Sequence, residues 1–184
     1  MNFSIIVACT HEGYIGVNNT IPWYIPDDLK YFKTITTGNA IKKNIVIMGR
    51  NTWESLPDQY KPLKNRINII ISNTLILDKK LDDVYIYRSL DEFFKNVKRN
   101  DYNEIFLIGG GQLYKAGLEE PYKSLCNKIY ITKIKLPISI EQINLSNSQI
   151  VKFPIDNIKE YKLTNITAIY NYKNIKYNYE IYTK

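Results

Sequence analysis

Asn44-Ile45-Val46-Ile47-Met48-Gly49-Arg50-Asn51-Thr52-Trp53-Glu54 decides how this chain is built. Ile45 to Met48 is apolar without alternation, as in a strand covered on both faces, and it passes through a glycine into residues of helical character. Ile105-Phe106-Leu107-Ile108-Gly109-Gly110-Gly111-Gln112-Leu113-Tyr114 repeats that junction. Further strands are predicted at 3–8, 67–71 and 84–87, and helices at 27–35, 52–56, 90–97 and 112–118. Strands alternating with helices predict an α/β fold with a largely parallel sheet flanked by helices. The pattern weakens over 136–157. Residues 164–172 and 175–182 then alternate like two strands around Lys173-Asn174, an antiparallel hairpin at one sheet edge. With no repeat and no Gly/Ser- or Pro-rich linker, residues 1–184 are expected to form one domain.

At 184 residues and 21.6 kDa, such a domain buries roughly 70% of its unfolded surface, enough to enclose a small-molecule pocket. No run approaches the ~18 apolar residues of a membrane helix, and residues 1–9 lack a basic leader with a cleavage site. Cys9 and Cys126 form no CxxC, and one histidine, His11, cannot complete a zinc site with them. A cytoplasmic protein without metal is expected. The net charge of +7 fits an anionic cofactor or a solvated surface, and no nucleic-acid partner is expected.

Pro22-Trp23-Tyr24-Ile25-Pro26-Asp27-Asp28-Leu29 is a rigid approach to a helix, with Pro26 in the first turn and acids facing the positive end of the dipole. Helical spacing separates the two aspartates. Asp28 shares a face with Phe32 and Ile35 beside Leu29, whereas Asp27 aligns with Lys30, Tyr31 and Thr34. A carboxylate among apolar neighbours has its charged form disfavoured, which suits an acid or a ligand anchor; a partly exposed helix-start residue is the other reading. Residues 13–23, with two glycines and two asparagines, predict an irregular loop able to cover a pocket.

At the first junction Asn51 and Glu54 are spaced like a capping box, and Arg50 stands where free N–H groups already favour an anion. The second is not the GxGxxG fingerprint, and its three glycines suit either a flexible turn or a pyrophosphate site at a strand's carboxyl end.

Taken together, Ile15-Gly16 with Asn19 and Pro22-Trp23, Pro26 to Phe32, Met48-Gly49-Arg50-x-Thr52-Trp53-Glu54-Ser55 and Ile108-Gly109-Gly110-Gly111 resemble the dihydrofolate reductase family. The resemblance runs in order from Phe3 to Thr132 and implies a mixed, mostly parallel eight-stranded sheet flanked by helices. It implies NADPH-dependent reduction of 7,8-dihydrofolate to 5,6,7,8-tetrahydrofolate by an oxidoreductase serving one-carbon and thymidylate metabolism, expected to act as a monomer. Asp28 is similar to the acid that holds the pteridine, with Thr132 as its neighbour. Because that acid contacts the ring far from N5, its implied role is a fixed charge that favours protonation of N5 through a water near Trp23.

The same resemblance implies a pteridine framed by Ile6, Val7 and Ile108 with Leu29 and Tyr114 nearby, a benzoyl ring between Phe32 and Leu56 beside Leu63, and a glutamate carboxylate on Arg66. For the cofactor it implies Thr52, Gly110, Gly111, Gln112 and Leu113 around the nicotinamide and pyrophosphate, with Ala8, Ile15, Gly16, Gly49 and Gly109 also cofactor-binding and a cis peptide at Gly109-Gly110. Arg50, Asn73 and Arg88 are implied around the adenosine 2′-phosphate, which favours NADPH over NADH, and Asn51, Ser72 and Ser89 are implied to be cofactor-binding as well.

After Ile134 the resemblance weakens. The family's acid before the Phe-Pro pair is absent, since Ile150-Val151-Lys152 precedes Phe153-Pro154, so support of the lid is expected to differ. Three alternatives are a same-fold reductase acting on a pyrimidine or an untailed pterin, a nucleic-acid binder using Tyr170, Tyr172, Lys176, Tyr177 and Tyr179, and a catalytically idle relative, which the matched acid, lid and phosphate residues argue against. Arg66 with the Phe32/Leu56 pair argues against the first. Strand alternation with one packed face argues against the second.

Overall fold

Both junctions form: β3 (Asn44–Gly49) runs into a helix at Arg50–Ser55, and another strand (Ile105–Gly109) runs into a helix at Gly111–Gly117. The computed structural model describes residues 1–38, 41–136 and 149–184. Before β3 come β1 (Phe3–Thr10), β2 (Tyr14–Val17) and α1 (Pro26–Thr37). Arg50–Ser55 is α2, followed by β4 (Arg66–Ile71), β5 (Val84–Tyr87), α3 (Leu90–Asn96), β6 (Ile105–Gly109) and α4 (Gly111–Gly117). The chain continues through β7 (Cys126–Lys135), β8 (Ile150–Lys152), β9 (Lys162–Ile166), β10 (Tyr170–Tyr172) and β11 (Ile175–Thr183).

The main sheet runs β10-β11-β7-β1-β6-β3-β4-β5, parallel from β7 to β5 and antiparallel at β11. Both β9 and β10 pair with the same edge of β11, so the sheet is eight positions wide, as expected. Period-two alternation divides the core between its faces. Ile45 and Ile47 join Ile5, Val7, Phe93, Leu107 and Ile129 on one side. Val46 and Met48 join Ile6, Trp53, Ile70 and Phe106 on the other, where Phe32 and Ile35 of α1 pack.

Three local expectations change, and one strand has no counterpart among those predicted. Cys126–Lys135, whose apolar run is broken by three lysines, forms the long central strand β7. Tyr14–Val17 is not irregular: it pairs with β8 in a separate two-stranded sheet. The first arm of the C-terminal hairpin is interrupted between β9 and β10, where the Thr167 hydroxyl takes the N–H of Tyr179 that a ladder carbonyl would otherwise accept. The capping box does not form. Gly49 is the N-cap of α2, no side chain caps it, and Glu54 instead pairs with Arg50 at 2.6 Å.

Candidate active site

Ile25, itself buried, leads into α1 with Pro26 in the first turn, and no side chain caps the helix. The two aspartates diverge from there. Asp28 Oδ1 accepts a 2.6 Å hydrogen bond from the Thr132 hydroxyl of β7, and Asp27 Oδ2 accepts one of 3.2 Å from Tyr177 of β11. Burial pushes the Asp28 carboxyl above its ordinary range, and the Thr132 bond partly opposes this. Phe32 and Ile35 pack on the core, but Leu29 is 49% exposed, so it borders the carboxylate's surroundings instead of burying them. One residue is enough for that difference, because Leu29 is offset by about 100° from Asp28 around the helix.

The same face of α1 continues through Phe32 to Thr36, at i+4 and i+8 from Asp28. There it meets Arg66, the first residue of β4 and only 5% exposed. Its Nε donates to the Lys64 carbonyl (3.0 Å), one Nη donates to the Thr36 hydroxyl (2.9 Å), and the guanidinium lies 5.9 Å from the Phe32 ring centroid. Burial lowers its pKa to about 10, and among the described residues no carboxylate pairs with it. An acid, an aromatic ring and a cation thus stand in line along eight residues of helix, roughly 12 Å. Thr36, fully buried and donating to the Phe32 carbonyl, is a site residue that sequence reasoning missed. Its place on the Asp28 face was the available signal.

Around this line, Leu56 packs against the second core cluster, and buried Leu63 is held by its N–H on the Asn68 side chain at 2.9 Å. The buried Tyr114 hydroxyl donates to the Ile6 carbonyl at 2.8 Å. Val7 and Leu113 turn their side chains into the core, which leaves only their backbones for any ligand contact. Ile108 is buried beside Ile6.

The strand ends of β3 and β6 lie side by side. A Cβ on Gly49 would lie 3.8 Å from the Gly110 nitrogen, and one on Gly110 would lie 3.3 Å from the Thr52 hydroxyl. The Gly109-Gly110 peptide is cis, as the resemblance implied, and Gly109 has φ 122°, a region that favours glycine. Gln112 is exposed just beyond them. One strand over, Ser72, Asn73, Thr74, Leu75, Arg88 and Glu92 line a cavity of about 530 Å³. Arg50 reaches Thr74 at 2.9 Å from the neighbouring helix, while Asn51 stays exposed. The Ser89 hydroxyl is engaged in capping α3, accepting from the Glu92 N–H.

Over these glycines sits the lid. Tyr14–Val17 pairs with Ile150–Lys152, the Asn18 N–H donates to the Gln149 carbonyl and Gln149 N–H returns a bond to the Asn18 side chain, both at 2.9 Å. Lys152 lies 4.3 Å from the Tyr14 ring. Main-chain pairing therefore stands where the family's acid was missed; residues 137–148 of the divergent segment lie outside the described residues. Trp23 packs between the lid residues Tyr14, Val17 and Ile150 and the floor residues Ile25, Ile134 and Tyr177. Ile15 and Gly16 belong to the lid strand, and Ala8 packs into the floor beneath. A Cβ on Gly111 would meet Val151 Cγ1 at 2.7 Å and the Lys152 carbonyl at 3.0 Å, which seats β8 on the start of α4. Gly111→Ala is expected to destabilise the protein by about 1–3 kcal/mol, measured by thermal unfolding.

In the hairpin tyrosines invoked for nucleic acid, Tyr177 is buried and Tyr179 stacks on Tyr31 of α1 with centroids 4.1 Å apart. Both are engaged within the fold.

Glycine turns at the carboxyl ends of β3 and β6, with an acid and a buried cation on the α1 face of the same sheet, define an α/β protein with a candidate ligand site. The sequence model of the dihydrofolate reductase family matches residues 2–184. The dihydrofolate reductase of Heliothis virescens is 32% identical over 189 residues, covering 98% of this chain and 95% of the moth protein. That of Schistosoma mansoni is 33% identical, covering 91% and 88%. The bifunctional dihydrofolate reductase-thymidylate synthase of Daucus carota is 36% identical over 72% of this chain, which spans only 26% of the plant protein. This chain belongs to the dihydrofolate reductase family, a family of oxidoreductases.

Proposed function

We propose that the chain reduces 7,8-dihydrofolate to 5,6,7,8-tetrahydrofolate with NADPH, supplying tetrahydrofolate to one-carbon and thymidylate metabolism. The carrying observation is the line Asp28, Phe32, Arg66. It matches a molecule with a hydrogen-bond-donating ring at one end, an aromatic ring in the middle and a carboxylate at the other. The buried guanidinium, with no carboxylate partner among the described residues, favours a tailed folate over an untailed pterin.

Asp28 binds the pteridine edge and, as a fixed negative charge, favours a proton at N5. Thr132 orients that carboxylate. Trp23 and the β2–β8 lid exclude bulk water from the reacting face. NADPH, when bound, supplies the hydride for C6. Gly49, Thr52 and Gly110 leave room for close approach of its backbone-held portion, and Arg88, Arg50, Ser72 and Asn73 fit its 2′-phosphate. Arg88→Gln should raise the KM for NADPH about ten- to a hundredfold and leave that for NADH nearly unchanged, in steady-state assays with each cofactor.

The same reading covers one domain over 1–184, monomeric and cytoplasmic, without a nucleic-acid partner. One continuous main sheet supports the single domain, and free, buried Cys9 and Cys126 fit a reducing compartment. The test is loss of nicotinamide absorbance when purified protein meets NADPH and dihydrofolate. A folded protein without turnover overturns the reading.

A further inference from the structure

Tyr31 is three residues beyond Asp28 on α1, on an adjoining part of the same helical surface. Its ring lies on that of Tyr179, with centroids 4.1 Å apart and planes inclined by 30°. Tyr179 is the cross-strand partner of Thr132, the residue that donates to Asp28. Behind it stand Tyr177 and Tyr170, at 5.8 and 5.9 Å between centroids. The Asp28 charge acts on both stacked phenols, and burial pushes Tyr31 up to about 12 and Tyr179 upward as well.

We infer that Tyr31 and Tyr179 are positioning residues for Asp28: their stacked rings wall the inner side of the carboxylate against water and hold Thr132 in register to donate to it. Neither phenol needs to transfer a proton; the rings themselves matter. The titratable groups around Asp28 and the stacked pair are Tyr31 on α1, Tyr130 on β7, and Tyr177 and Tyr179 on β11, with Tyr170 behind them and Asp27 next in sequence. Asp27 is the carboxyl among them, and it is held by Tyr177. If the wall sets the charge state of Asp28, opening it lets water stabilise the ionised form and lowers its pKa.

The role in catalysis rests on the proposed function, but the test is independent of turnover. Carbon NMR of labelled aspartate side chains, recorded from about pH 4 to about pH 9, reads Asp28 directly once assigned by loss of its signal in Asp28→Asn. Tyr179→Ala is expected to lower its midpoint by about one unit, a tenfold change in proton affinity, and Tyr31→Leu by a similar amount. Tyr31→Phe and Tyr179→Phe, which keep the rings, should restore the parent value, and Asp27→Asn separates the neighbouring charge from the wall. If Tyr179→Ala does not fold, Tyr31→Leu decides, since leucine suits a helix. An unchanged midpoint in the ring-deleting variants, or an equal shift in the phenylalanine variants, overturns the inference. A shifted midpoint in a protein that never turns over dihydrofolate sustains the wall and refutes the function instead.

Discussion

Asp28→Asn lowers turnover of dihydrofolate at neutral pH by roughly 10²–10⁴-fold, the span of a lost acid–base contribution. The loss shrinks as pH falls, because N5 then gains its proton from solvent without help from a fixed charge. A profile of kcat against pH for both proteins checks this, and identical profiles would remove Asp28 from the mechanism. The same substitution acts on stability with the opposite sign. Burial raises the folded-state pKa of Asp28 above that of the unfolded chain. Its stabilising contribution is therefore complete below the ordinary carboxylate range and is lost as pH rises through the folded value. At neutral pH the ionised group works against folding, so the asparagine variant should melt higher than the parent, and the two should converge below about pH 4. Activity and stability are traded at one atom pair.

Arg66→Leu is the second large effect. The guanidinium is buried with two neutral acceptors and, among the described residues, no anionic one, an arrangement that favours a carboxylate arriving with a ligand. A charged hydrogen bond of about 1.5–3 kcal/mol corresponds to a rise of roughly ten- to a hundredfold in KM for dihydrofolate. kcat should change little, because the tail is remote from C6 and N5. A pterin substrate without the glutamate should not distinguish the variant from its parent. A loss that fell on kcat, or fell equally on the untailed substrate, would assign Arg66 to the scaffold.

The parts of this site visible in the sequence are those that depend on neighbours along the chain. Asp28 separates from Asp27 by helical spacing alone, and the glycines of 49 and 109–111 declare themselves by following apolar strands. The partnership of Asp28 with Thr132 spans 104 residues and entered only by resemblance. Arg66 was assigned to a carboxylate the same way, but its seat on Thr36 comes from the packing of α1 against β4. The pairing of β2 with β8 had no local signal, because Gly16 breaks the strand pattern and Asn18 and Asn19 adopt positive φ just after it. Asn51 and Glu54 show the reverse error. Their spacing met the rule, but the helix begins two residues earlier, and Arg50 offers Glu54 a charge.

The lid's attachment has a consequence for how the protein behaves in different media. A loop tied down by a carboxylate loosens when salt screens that charge or acid removes it. Here most of the hold is amide to carbonyl, between Tyr14–Val17 and Ile150–Lys152 and between Asn18 and Gln149, groups that neither titrate nor gather counterions. That part of the seal does not depend on ionic strength, which leaves salt to act mainly at the arginines around the cavity beside Ser72, on the capture of an anionic ligand there more than on closure.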